Sequence, residues 1–197
     1  MKNIKLIICC MSKESFDEAT NMFSEVENVE VIQGSLLAQH ADAIVSPANS
    51  FGIMDGGIDK EIIEQLGMSL EIKLKKIIAD DYFGELCIGN AVVVPIDKPN
   101  FKYMIAAPTM RVPMNVSQTT NAYIAFRAML IEALNHNSIE SIATPMFCTG
   151  IGKMNYKVAA TQMKIAYRNV IQGMKLTDFD LIYNSQIKLL NPDYIGK

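Results

Sequence analysis

Basic charge, histidine and long apolar runs are all scarce in this chain. Its formal net charge is -3 over 197 residues. That argues against a non-specific nucleic-acid binder, which needs a cationic surface to displace counterions. No apolar run reaches the length needed to cross a bilayer. The apolar stretch within Met1 to Met11 is too short for a signal peptide and has no small-residue cleavage site. Four cysteines (Cys9, Cys10, Cys87 and Cys148) contain no CxxC pair. Cys9 and Cys10 are adjacent, so in a strand they point to opposite faces and do not pair. Reduced thiols in a cytoplasmic protein are therefore expected. The only histidines, His40 and His136, lie far from every glycine-rich loop, so no metal site is expected. There is no internal repeat, low-complexity tract or linker.

What is present is alternation. Half of the residues are hydrophobic, enough for one domain over 1–197 with a full core. Strand-like and helix-like segments follow one another throughout, which predicts a three-layer α/β/α domain. Strands are expected at Ile4–Cys10, Val29–Gln33, Ala43–Ser46, Ala91–Val94 (stopped by Pro95), Tyr103–Ala107 and Ile139–Thr144. Helices are expected after a Ser15/Glu18 capping box, at Ile58–Leu66, Met68–Asp80 and Thr120–Asn135, and from Tyr156 to Ile171 behind an Asn155 cap. Leu181–Tyr183 reads as a possible last strand, and Asn191-Pro192 ends regular structure.

Two segments carry chemistry. In the first, the strand Ala43-Ile44-Val45 runs through Pro47 and Asn49 into Gly56-Gly57-Ile58-Asp59 at a helix start. In the second, Thr144-Pro145 runs through Cys148-Thr149-Gly150-Ile151-Gly152-Lys153 to Asn155. A glycine loop between a strand and a helix lets backbone N–H groups approach an anion, and the positive end of the helix dipole faces it. The second loop is not a P-loop, because Met154 stands where the magnesium-binding hydroxyl belongs. It does not have Rossmann spacing either. Both loops follow strand ends, where open α/β sheets bind ligands. Two such loops point to a diphosphate held from both sides. Asn49 and Asp59, ten residues apart, add a carboxamide and a carboxylate, which suggests a nucleotide sugar.

These residues resemble the macro domain family of ADP-ribose binders over roughly Val31 to Ile171. Ser46-Pro47-Ala48-Asn49 is similar to the family's Asn-Ala-Ala-Asn. Gly56-Gly57-Ile58-Asp59 is similar to its Gly-Gly-Val-Asp. Cys148-Thr149-Gly150-Ile151-Gly152 is similar to its phosphate loop. The resemblance implies a mixed, mostly parallel six-stranded sheet between helices. It also assigns roles. Gly56, Gly57 and Ile58 contact the phosphate nearer adenosine, Thr149 to Lys153 wrap the other, and Cys148 is a further ligand-binding residue. Ile44 and Ser35 lie on the ligand side. Asn49 holds the distal ribose, and Asp59 orients or activates water near its anomeric carbon. The implied ligand is ADP-ribose or a related nucleotide, with no cofactor and no membrane. The implied reaction is hydrolysis of ADP-ribosyl esters on proteins or of O-acetyl-ADP-ribose.

The departures bear on this. Ser35 follows Gly34 where many relatives carry an aspartate for the adenine amine, and Met54-Asp55 replace glycines. They motivate a second reading, a non-catalytic binder or sequestering module for an NAD-derived nucleotide signal. A third is an interaction domain that has lost its ligand. The aromatic under adenine has no clear counterpart, and Tyr183 is offered for it. Read without the resemblance, Asn49 is a turn residue and Asp59 a helix-dipole partner. Cys148 is a small loop residue, and Arg111 is a solvated surface arginine. Met54, Met146 and Met154 flank the loops and are read as core filler or pocket lining.

Overall fold

The computed structural model describes residues 3–195, apart from the side chain of residue 97. In chain order the elements are β1 (Lys5–Cys10), α1 (Lys13–Phe23), β2 (Val29–Gln33), a 3-10 turn (Leu36–Ala38), β3 (Ala43–Ser46), α2 (Gly57–Leu66), α3 (Ser69–Asp81), β4 (Val92–Lys98), β5 (Phe101–Ala106), α4 (Asn121–Asn135), β6 (Ser141–Pro145), α5 (Tyr156–Val170) and α6 (Phe179–Leu190). The six strands form one sheet in the order β2-β1-β6-β3-β5-β4. Five run parallel, and only β4 is antiparallel to its neighbour β5.

The inner strands are mostly apolar, because both faces of the sheet are covered. Side chains alternate across the sheet. Leu6, Ile8 and Cys10 of β1, Val45 of β3 and Ile142 of β6 enter a core with α1, α4 and α5. Ile7, Cys9, Ile44 and Ala143 enter a second core with α2 and α3. Cys9 and Cys10 therefore lie on opposite faces, as free thiols.

The register is tied at the amino end of β3. The Asp42 carboxylate accepts from the Glu140 and Ser141 amides at 3.0 and 3.1 Å and from the Ser141 hydroxyl at 3.0 Å. It also pairs with Lys102 at 2.9 Å. One side chain thus aligns three parallel strands, so their carboxyl ends finish together on the opposite edge.

Three expectations are corrected. Ser12, not Ser15, caps α1: its backbone is extended, its oxygen accepts the Ser15 amide, and Ser15 fills the third helical position. The helix begins there because β1 ends two residues earlier. Pro95 does not stop β4, which continues to Lys98. The strand lies at the sheet edge, where a missing N–H costs no ladder bond on its open side. Leu181–Tyr183 is not a strand but part of α6. Asp178 caps that helix by accepting the Leu181 amide at 2.9 Å, and Leu189 packs it against the body with 4% exposure.

Candidate active site

A cavity of about 400 Å³ opens at the carboxyl ends of the parallel strands. Its walls follow the strand order. Cys10, Ser12 and Ser35 come from the ends of β1 and β2. The loop after β6 supplies Cys148 to Gly152. Asn49 and Thr109 come from the ends of β3 and β5, and Gly56 to Asp59 come from the start of α2. The two glycine loops therefore face one space. Ser35 follows β2 and Asn49 follows β3, with β1 and β6 between those strands in the sheet.

The first loop is shaped by its own side chains. Asn49 Nδ2 donates to the Ile53 carbonyl at 2.7 Å, and Oδ1 accepts the Phe51 and Ile53 amides at 3.1 and 3.3 Å. The carboxamide thus holds the turn and keeps one N–H to offer. The expected turn role is therefore the one these hydrogen bonds show. Met54 is fully buried in the α2–α3 core and does not line the cavity. It anchors the loop from below. Gly57 has φ +55°, a left-handed backbone that favours glycine. Helix α2 then starts without any side-chain cap, which leaves its first N–H groups to the cavity.

Asp59 occupies the first turn of α2 with 9% exposure. Its Oδ1 accepts the hydroxyl of Ser46, the fully buried last residue of β3, at 2.7 Å. Burial pushes the carboxyl up to about 6, against the lowering effect of the Ser46 hydrogen bond. The other acidic residues on the cavity wall are Asp55 and Glu61. Among the described residues no lysine, arginine or histidine lines it. An anion here is met by backbone amides and a helix end.

The second loop is two overlapping turns. The Lys153 amide donates to Gly150 and the Met154 amide to Cys148, at 3.1 and 3.0 Å. Cys148 and Lys153 take positive φ. The Thr149 hydroxyl donates to the Met146 carbonyl at 3.3 Å. The segment after β5 ties the loops together: the Ser50 amide donates to Arg111 and the Val116 amide to Gly152, at 3.1 and 2.9 Å. Burial pushes the Cys148 thiol up to about 12, so at neutral pH it is no thiolate nucleophile.

Of the residues singled out in the sequence, Asn49, Asp59, Ser35, Gly56, Gly57, Ile58, Cys148, Thr149, Gly150, Ile151 and Gly152 line this one cavity. Ile44 and Lys153 do not. Ile44 alternates into the α2–α3 core with no exposure, and Lys153 is exposed outside the lining. Tyr183 is 56% exposed on α6, stacked on Phe179 and away from the cavity. Met146 lines the cavity, whereas Met154 belongs to the core. Arg111 forms a two-pronged pair with Glu85 at 2.8 and 3.0 Å over the Phe51 ring. It is a surface residue outside the lining.

The sequence reading passed over Cys10, Ser12, Ser15, Glu61, Thr109 and Tyr156, all of which line the cavity. Ser12 and Ser15 follow a strand end, and Tyr156 follows the cap of the second loop. The carboxyl-end rule could have found them. Thr109 follows the end of β5 and falls under the same rule.

A Macro domain family model matches residues 45–163. An uncharacterized protein of Aquifex aeolicus is 35% identical over 69% of this chain and 78% of its own length. A macro domain-containing protein of Caldanaerobacter subterraneus subsp. tengcongensis is 30% identical over 63% and 70%. Among solved structures, the macrodomain of Mycobacterium tuberculosis DarG superimposes with a TM-score of 0.59 at 23% identity, covering 70% of this chain and 88% of that one. The Oceanobacillus iheyensis macrodomain with ADP gives 0.62 at 18% identity, covering 72% and 75%. A point mutant of that macrodomain, solved with ADPR, also gives 0.62 at 17% identity, covering 72% and 77%. The family match begins next to the last residue of β3 and ends inside α5, so it encloses both glycine loops, and the chain belongs to the Macro domain family.

Proposed function

We propose that the cavity binds ADP-ribose or a close nucleotide relative, and that the protein hydrolyses ADP-ribose from acyl-linked adducts. One observation carries the reading: a buried carboxylate, Asp59, shares a single cavity with two anion-type loops and the free N–H of Asn49. The macrodomains solved with ADP and ADPR support the ligand class. The diphosphate lies between the uncapped start of α2 and the Cys148–Gly152 turn. The base lies toward Ser35, and the distal ribose toward Asn49.

In this reading Asp59 is the general base. A carboxyl near 6 is mostly ionised at neutral pH yet still basic enough to take a proton. Water adds through its oxygen to the anomeric carbon as the bond to the acyl oxygen breaks. The acyl group leaves as a carboxylate, and Asp59 takes the water proton. Asn49 positions the ribose hydroxyls through its remaining N–H, and the loops hold the charged diphosphate at fixed distance. Three lining cysteines, Cys9, Cys10 and Cys148, take no part, since burial keeps all three thiols protonated.

Calorimetry with ADP-ribose tests binding, and the absence of heat at millimolar ligand would overturn it. Release of ADP-ribose from a glutamate-linked peptide tests turnover. Asn49→Ala and Asp59→Ala are expected to lose at least ten-fold in rate. A second reading, binding without turnover, is favoured by Ser35 and Asp55. The Ser35 oxygen is already engaged by the Leu37 amide at 3.2 Å, and Asp55 sets a negative charge on the cavity wall. Tight binding with no product from any acyl-linked substrate selects it.

A further inference from the structure

We propose that Ser46 is a positioning residue: its hydroxyl fixes the rotation of the Asp59 carboxylate so that the oxygen it leaves free serves the cavity. The catalytic half of this assignment rests on the hydrolytic reading above; the positioning half does not.

Ser46 closes β3, with its side chain fully buried between the sheet and α2. A hydroxyl at a fully buried position must find a partner or pay for desolvation. Its partner is Asp59 Oδ1, at 2.7 Å. That distance is in the short range expected of a hydroxyl on a carboxylate. Among the described residues no other side chain makes a hydrogen bond or ion pair with Asp59. No other side chain among the described residues therefore chooses which carboxylate oxygen turns inward. Strand β3 is paired with β6 on one side and β5 on the other, so the hydroxyl is mounted on an interior strand of the sheet. Helix α2 brings the carboxylate to it.

The other titratable groups on the cavity wall are the acidic Asp55 and Glu61, the Tyr156 phenol and the thiols of Cys9, Cys10 and Cys148. Burial raises all three thiols, keeping them neutral. None of these groups offers a countercharge. Among the described residues, Ser46 is the one side-chain donor that favours the ionised form.

Two measurements test this. The first is the carbon-13 NMR titration of the Asp59 carboxyl in ligand-free protein. The parent midpoint is expected near 6. Ser46→Ala is expected to raise it by about one pH unit, because a hydrogen bond to the charged form is lost. Ser46→Cys, a weaker donor of similar size, falls between, and Ser46→Thr restores the parent value. An unchanged midpoint in both Ser46→Ala and Ser46→Cys overturns the assignment. If Ser46→Ala does not fold, Ser46→Cys decides alone.

The second is the pH profile of hydrolysis. The rising limb of kcat is expected to move alkaline by the same amount, with KM within about two-fold and kcat down about two-fold at pH 7 and about ten-fold on the acid side of the limb. A purely structural role would lower the thermal midpoint and change KM without moving the limb. If the parent protein hydrolyses no acyl-linked substrate, the proposed activity fails, while the NMR titration still decides what Ser46 does to Asp59.

Discussion

The Val116 amide donates to the Gly152 carbonyl at 2.9 Å, and the same two residues touch where a side chain at 152 would grow. A Cβ on Gly152 would stand 2.8 Å from Val116 Cγ2 and 2.5 Å from the Cys148 carbonyl oxygen. The glycine is required here by close approach, not by backbone handedness. The segment after β5 lies directly on the second loop and sets its shape.

Gly152→Ala should therefore deform the loop, because the Cys148 backbone cannot yield as a side-chain tip can. We expect a stability loss of about 1–3 kcal/mol by chemical denaturation. We also expect at least a ten-fold loss of ADP-ribose affinity by calorimetry. Gly150→Ala, with open space around its Cβ, should lose far less stability. Equal effects at the two positions would contradict this account.

The first loop offers the complementary contrast. A Cβ at Gly56 or Gly57 meets nothing within 4 Å, but only Gly57 has positive φ. Gly57→Ala is expected to cost about 1–2 kcal/mol from the left-handed backbone alone, whereas Gly56→Ala should be near neutral in stability. Urea unfolding of the two variants side by side is the check.

Asp59 makes stability depend on pH in a defined direction. Its folded carboxyl is raised from 3.8 to about 6, so folding favours the protonated form. That advantage is complete below about 4 and is lost as pH rises through about 6. The loss amounts to about 3 kcal/mol for a shift of this size. Asp59→Asn has no charge to bury. Its thermal midpoint relative to the parent is expected to climb between pH 4 and 7 and then level off. A difference that stays flat across this window would show that Asp59 is not raised.

Thiol labelling should divide the cysteines by environment. Cys87 is exposed, while Cys9, Cys10 and Cys148 are buried. Burial pushes the last three thiols up to about 12, 11 and 12. At pH 8 one thiol is expected to react rapidly in the native protein and four after unfolding. Cys148→Ser should retain hydrolysis. Its loss with the fold intact would restore a nucleophilic role to the thiol.

The chain alone determined much of this protein, for local reasons. Each loop is a continuous stretch from strand end to helix start, so Asn49 with Gly56 to Asp59, and Cys148 to Gly152, were legible as anion loops from residue type and spacing. The buried parallel strands were legible as apolar runs. What escaped depended on neighbours distant in sequence. Pro95 is tolerated because β4 ends up at the sheet edge. Residues 181–183 are helical because Asp178 caps them and Leu189 packs on the body. Ile44 turns away from the cavity because side chains alternate across a sheet whose other face is α2 and α3. Tertiary structure alone decided that β2, β1, β6, β3 and β5 end along one edge, which brings Ser12, Thr109 and Tyr156 into the space lined by Ser35 and the two glycine loops. It also decided that Asp59 is buried against Ser46, thirteen residues away. The charge state of a carboxylate is set by the water it has lost and the donor it has gained, and only a folded chain contains either.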